Sequence, residues 1–247
     1  MVMHRLAYCL SIGCVAVLAF ASTAVAGDKR AVIELFTSQG CSSCPSADRL
    51  LGELSHDRTL VTLSLSVDYW DYIGWKDTLA LPGHRKRQWG YAKSRGDRQV
   101  YTPQAVINGV LHVVGSDKSA IDQAIAKSRS ETGTLAVPVQ LSQDADGRIT
   151  VAIADSPSGA QGEIWLCGVK KAVAVKIERG ENRGKMVTYH NVARAWHKLG
   201  DWTGKAASFT LSRSDFKDGV DEATVILQER PNGHPGRVLG AATLALK

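Results

Sequence analysis

The chain has 247 residues, 44% of them hydrophobic, and 30 Lys and Arg against 24 Asp and Glu give a formal net charge of +6. That length suits two modest domains, each with a real hydrophobic core. The charge excess is spread out except at His84-Arg85-Lys86-Arg87, which reads as a solvated helix face, so no nucleic-acid partner is expected.

In chain order, Arg5 precedes an uncharged apolar run from Leu6 to Phe20, and Ala24-Val25-Ala26 has the small-x-small form of a cleavage site. Residues 1–26 therefore read as a secretory signal peptide, and the expected location is outside the cytoplasm, in the bacterial periplasm. No other segment is apolar enough to span a membrane, so no span is expected once the signal is removed. Cys9 and Cys14 would leave with it, and Cys41, Cys44 and Cys167 would remain. Three thiols are too few for a stapled scaffold, and a lone C-x-x-C suits redox chemistry in a compartment that permits disulfides.

Ala31 to Thr37 reads as a strand. Ala47, Leu50, Leu51 and Leu54 mark one face of a helix running to about His56. Pro45 fits only the first turn of that helix, so Cys41 and Cys44 straddle its start. Val61, Leu63, Leu65 and Val67 alternate with polar residues as a second strand, completing a βαβ unit. Residues 68–99 form an insertion with an aromatic segment, Asp68 to Asp77, and a helix from about His84 to Lys93. The aromatics read as packing, or as a lip above the cysteines. Gln104 to Ile107 and Val110 to Val114 form a hairpin around Asn108-Gly109. Ser116 is the expected N-cap of a helix carrying Ala120, Ile121, Ala124 and Ile125.

A parallel pair, an antiparallel hairpin and a closing helix make a thioredoxin-like α/β N-terminal domain over residues 27–130. From residue 131 to 247 short β-type runs recur: Leu135 to Leu141, Arg148 to Ala154, Glu163 to Val169, Ala172 to Ile177, Ala207 to Leu211, Ala223 to Gln228 and Val238 to Leu244. Their spacing predicts a mostly β, sandwich-like C-terminal domain. Between them, Tyr189-His190-Asn191 and Arg183, Lys185 and Arg194 read as a solvated strand connection in preference to residues that face the cysteines across the domain junction.

A cysteine at a helix N-terminus has a lowered pKa, so Cys41 is the expected exposed nucleophile and Cys44 the resolving thiol. Thr102-Pro103 precedes the third strand. A cis bond there would offer the backbone of Thr102 to an extended substrate beside Cys41. Glu34 is either a buried acid able to relay a proton to Cys44 or a solvated strand residue. Gly40, Thr102, Trp70 and Tyr72 are candidate substrate contacts, with Pro103 and Glu34 beside the cysteines in the catalytic set. Cys167 reads as a buried, inert thiol. The scattered histidines give no metal-ligand set, and neither a metal nor another cofactor is expected.

Val32-Ile33-Glu34-Leu35-Phe36-Thr37-Ser38-Gln39-Gly40-Cys41-Ser42-Ser43-Cys44-Pro45-Ser46-Ala47-Asp48 resembles domain-of-unknown-function family 1223, exported thioredoxin-like proteins. So do Val67 to Asp77, Tyr101-Thr102-Pro103-Gln104 with Asn108-Gly109, Glu181-Asn182-Arg183-Gly184, and Thr188-Tyr189-His190-Asn191-Val192. The resemblance implies a thioredoxin-like domain fused to a C-terminal β domain and supplies no activity. Unlike thioredoxins, the chain has Gly40 in place of a Trp before Cys41, and Ser-Ser inside the motif. The expected function is thiol–disulfide oxidoreductase, acting on a protein or small-molecule thiol or disulfide. The alternatives are a binding module with a structural Cys41–Cys44 disulfide, and a Cu(I) carrier.

Overall fold

The computed structural model describes residues 29–216 and 219–247; the expected signal peptide over residues 1–26 lies outside them. Eleven strands and three α-helices follow in the order β1 (Ala31–Thr37), α1 (Cys44–Leu54), β2 (Leu60–Ser66), α2 (Pro82–Arg95), β3 (Gln104–Ile107), β4 (Leu111–Val114), α3 (Lys118–Arg129), β5 (Val139–Gln143), β6 (Arg148–Ile153), β7 (Gly162–Lys176), β8 (Met186–Trp202), β9 (Ala207–Ser212), β10 (Glu222–Gln228) and β11 (Val238–Ala245). Among the described residues no helix is long and apolar enough to cross a membrane.

One eight-stranded sheet has the order β11-β10-β7-β8-β2-β1-β3-β4, and β5-β6-β9 form a second. In the N-terminal half β1 pairs parallel with β2 and antiparallel with β3, and β3 pairs antiparallel with β4. Alternation divides the faces of these strands. Ala31, Ile33 and Leu35 pack against Leu50, Leu51 and Leu54 of α1 and Ile121 of α3. Val32, Phe36, Leu63 and Leu65 face the other way, toward Tyr91 of α2. In the C-terminal half the two sheets share a core that includes Leu141, Val151, Leu166 and Val225, as a sandwich does.

The hairpin turn between β3 and β4 follows from its residues. Asn108 and Gly109 take φ of 49° and 74°, the left-handed pair that suits the twist of the strands. The Asn108 side chain also accepts from Val32 N (2.7 Å) and donates to Ser128 Oγ (2.8 Å). At Gly109 a Cβ would lie 1.9 Å from Gly236 O, so only glycine allows the β10–β11 connection to come this close. Asp117, and not Ser116, caps α3: its side chain accepts from Ala120 N at 2.9 Å. Ser116 lies one residue too early to reach that amide.

The largest departure from expectation is β8. No strand is expected over its 17 residues, yet they pair along the whole of β7, which is itself one strand where the sequence suggests two. β8 also meets β2 in a single parallel register pair, Ser64↔Val192, so one sheet runs through both halves of the chain. Polar residues fill β8 because much of it is only half-buried, which hides the period-2 signal of a strand. Tyr189, His190 and Asn191 are not a solvated connection. Tyr189 is buried, His190 packs on Gly52 of α1, and Asn191 donates to Thr62 Oγ1 at 2.8 Å.

Glu34 occupies the centre of β1 at 1% exposure. Arg87 of α2 meets it with two nitrogens, Tyr91 donates to it, and Arg87 Nη2 bonds Gln228 Oε1 of β10 at 3.0 Å. The run His84-Arg85-Lys86-Arg87 is thus no uniform solvated face: His84 is buried, Arg87 is spent on Glu34, and Arg85 and Lys86 are exposed. Breaking a buried pair from one side leaves an uncompensated charge. Arg87→Met is expected to cost about 3–5 kcal/mol in urea unfolding, and Glu34→Leu added to it to recover most of the loss. A double variant as unstable as the single would show that Glu34 is not the reason for Arg87.

Candidate functional site

Cys41 and Cys44 are joined in a disulfide, Cα to Cα 5.4 Å, at the start of α1. Pro45 sits in the first turn, where its missing N–H costs nothing. Cys41 precedes the helix, Cys44 opens it, and Ser43 Oγ lies 3.4 Å from Cys41 Sγ. The expectation that Cys41 is exposed is corrected: it is 1% exposed and Cys44 0%, while Ser42 and Ser43 are exposed.

Two segments pack on the backbone at Gln39, Gly40 and Cys41. The connection between β7 and β8 supplies Asn182, buried, whose Nδ2 donates to Cys41 O (2.8 Å) and Gln39 O (2.9 Å). The insertion supplies Trp70, which packs so closely on Gly40 that a Cβ there would lie 2.9 Å from Trp70 Cβ. Trp70 Nε1 donates to Thr102 Oγ1 at 2.8 Å, tying the insertion to the Thr102–Pro103 bond, which is cis. Tyr72 stacks on Trp70 with centroids 6.2 Å apart and is 79% exposed. Trp75 Nε1 donates to Gln39 Oε1 (2.7 Å), and Gln39 N donates to the buried Asp77 (2.8 Å). Gly40, Trp70, Tyr72 and Thr102 are therefore gathered at one place, with Pro103 joined to Thr102.

Glu34 is not part of it. Val32 and Phe36, which share its face of β1, pack toward α2, and the cysteines lie on α1 across the sheet. Its carboxylate is committed to Arg87 and Tyr91, so it is not placed to relay a proton to Cys44.

The acid on the correct side is Asp48, which the sequence reading passed over. It follows Cys44 by one helical turn, so the two share a face of α1, and it is 2% exposed. Neither of its carboxylate oxygens has a hydrogen-bond partner, nor do the buried hydroxyls of Thr37, Ser64 and Ser66. Burial pushes the Asp48 carboxyl up to about 8; the Asp77 charge adds to the rise, and the Thr37 hydroxyl, near enough for a weak hydrogen bond but not in good bonding geometry, opposes it. Asp77 is itself raised by burial, against three backbone N–H donors. The available signal was the i, i+4 spacing of an acid from Cys44 on the apolar face of the helix.

Cys167 is fully buried, and burial pushes its thiol well up, so it is a poor nucleophile. Among the described residues no three His, Cys, Asp or Glu side chains come together as a metal site.

A family model described as "Protein of unknown function (DUF1223)" matches residues 32–228. The crystal structure of a protein from Agrobacterium tumefaciens is similar, with 32% identity, a TM-score of 0.80, and coverage of 89% of this chain and 95% of that one. An endonuclease/exonuclease/phosphatase from Beutenbergia cavernae matches with 14% identity over 45% of this chain and 24% of its own, at a TM-score of 0.22. No curated protein matches.

Buried Asp48 and His84 set a pH dependence, with Asp77 raised in the same direction as Asp48. Asp48 titrates near 3.8 when unfolded and near 8 when folded, so the folded form binds more protons in that window and loses stability as pH rises through it. His84, whose buried ring Nδ1 donates to Ser66 O (2.9 Å), falls from 6.5 to about 4 through burial, so it adds stability as pH rises between those values. Above 6.5 only Asp48 of the two still titrates. Asp48→Asn is expected to abolish the decline in melting temperature from pH 6.5 to 8; an unchanged decline would assign it to other groups.

Proposed function

The chain belongs to the DUF1223 family of proteins of unknown function, and on that premise we propose that it is an exported, thioredoxin-like thiol–disulfide oxidoreductase acting through Cys41 and Cys44. The observation that carries this reading is a disulfide at the start of a helix with an unpartnered, buried acid one turn behind it. The strand order β2-β1-β3-β4, with one parallel and two antiparallel pairings, supports the thioredoxin-like reading.

In the reducing direction the Cys41 thiolate attacks a substrate disulfide. A Cys41–substrate bond forms, the substrate S–S bond breaks, and its far sulfur leaves with the electron pair. The Cys44 thiol gives its proton to the Asp48 carboxylate and attacks Cys41 Sγ. The Cys41–Cys44 bond closes, and the second substrate sulfur leaves as a thiolate. The substrate gains two electrons, the cysteine pair loses two, and the released thiolates take protons from Asp48 and water. The same steps reversed oxidise a substrate dithiol. A carboxyl with its pKa near 8 suits either direction, since it both accepts and returns a proton near neutral pH.

Cys41 is 1% exposed, so exchange with a substrate needs the segments around it to open. The 1% exposure of Cys41 favours a second reading, a structural disulfide in a binding module. Insulin reduction separates the two. The wild type is expected to exceed Cys41→Ser, and Cys44→Ser to accumulate a mixed disulfide with substrate. Asp48→Asn is expected to slow resolution by about 10²-fold, the lower end for a lost general base, and to remove the rate's dependence on a group titrating near 8. Activity no greater than that of Cys41→Ser, with a reduction potential below about −300 mV, would give the structural reading.

A further inference from the structure

On the α2 face of the sheet, away from the disulfide, α2 and the β10–β11 connection border a cavity of about 620 Å³. That is the size of a small-molecule site. Trp165 of β7 and Trp196 of β8 line it edge to face, with ring centroids 6.5 Å apart. Trp89 of α2 also lines it and stands 45% exposed. An exposed indole on a cavity wall is surface that a flat ligand would cover.

The charge around these rings is one-sided. Arg85, Lys86, Arg87, Lys93 and Arg230 line the cavity against two carboxylates, Glu163 and Glu229. Glu163 is already met by Lys198 and Arg230, and Arg87 is held by Glu34 while its guanidinium lies 4.8 Å from the Trp196 ring centroid. Lys86 and Lys93, both exposed, make no ion pair among the described residues. Tryptophan faces alone would also attract a cation, but the two lysines without ion pairs repel one.

The wall is built in advance. A Cβ on Gly90 would lie 2.6 Å from Pro235 Cδ, so glycine lets the β10–β11 connection press against α2. Ser94 Oγ fixes Pro235 O at 2.8 Å, and Gln228 Nε2 fixes Gly236 O at 2.7 Å. A site that needs no ordering on binding loses less affinity to entropy.

We propose that this cavity binds a small, flat aromatic carboxylate, its ring against Trp165, Trp196 and Trp89 and its anion toward Lys86 and Lys93. The site is independent of the disulfide, and its test does not involve the cysteines. Three probes that share one ring and differ in charge are titrated into the full chain: 1-naphthoate, 1-naphthalenemethanol and 1-naphthylmethylamine. Binding is read from the indole N–H resonances. Naphthoate is expected to shift Trp165 and Trp196 and leave Trp70 and Trp75 in place. The alcohol should bind at least about tenfold more weakly and the amine more weakly still. Lys86→Gln with Lys93→Gln should weaken naphthoate at least about tenfold and leave the alcohol unchanged. Trp89→Ala, at an exposed position, should weaken naphthoate and alcohol together. The proposal is overturned if naphthoate shifts neither Trp165 nor Trp196 at millimolar concentration. Equal binding of the three probes, or no effect of the lysine substitutions, overturns it as well.

Discussion

A carboxylate in the middle of a sheet has to be neutralised, because an isolated buried charge costs far more than a domain's net stability. Glu34 sets that requirement in β1, and three side chains answer it: Arg87 and Tyr91 from α2, and Gln228 from β10, which bonds both of the others. The insertion helix is therefore anchored to the strand that leads to the cysteines. The C-terminal half is anchored to the same point, although its β-sheet pairing with the N-terminal half consists of one register pair. Arg87, once drawn inward, leaves its guanidinium against Trp196, so the neutralisation of Glu34 also shapes the cavity on that face.

The sheet thus separates two chemistries. One face carries α1, the disulfide and Asp48; the other carries α2, the Glu34 cluster and the cavity. What the faces share is the C-terminal half. Its β7–β8 connection reaches over with Asn182 to hold the carbonyl of Cys41, and the roots of the same two strands supply Trp165 and Trp196. Under the proposed exchange, the C-terminal half is part of the site's architecture, since without Asn182 the carbonyl groups of Gln39 and Cys41 would lose their buried donor.

Local signals were legible where the residues leave few options. Pro45 placed the helix start between the cysteines, and Asn108-Gly109 placed the hairpin, because each residue type restricts the backbone on its own. β8 was illegible because a half-buried strand with mixed neighbours has no clean alternation, and its pairing with β7 and β2 is a tertiary fact. Glu34 was visible as an oddity, but its partner lies 53 residues on, and only the fold shows that it is an ion pair on the far face. Cys41 read as exposed because helix-terminus reasoning is local, whereas residues 70 and 182, far along the chain, pack beside it on Gly40 and on the Cys41 carbonyl.

Asp48 and its surroundings bear on which use of the disulfide fits better. The β2 residues that face α1 include Ser64 and Ser66, beside Thr37 of β1, and all three hydroxyls and both Asp48 oxygens are buried without partners. Each such group costs about 1–3 kcal/mol relative to one that is satisfied or replaced by an apolar side chain. A disulfide kept only to brace the start of α1 would gain nothing from this polar strip, and Leu or Val at these positions would brace it better. An exchange site needs a proton acceptor that is shielded from water, raised in pKa, and close to the resolving sulfur. The raised Asp48 carboxyl beneath α1 has a use in the proposed exchange that a purely structural bond does not require.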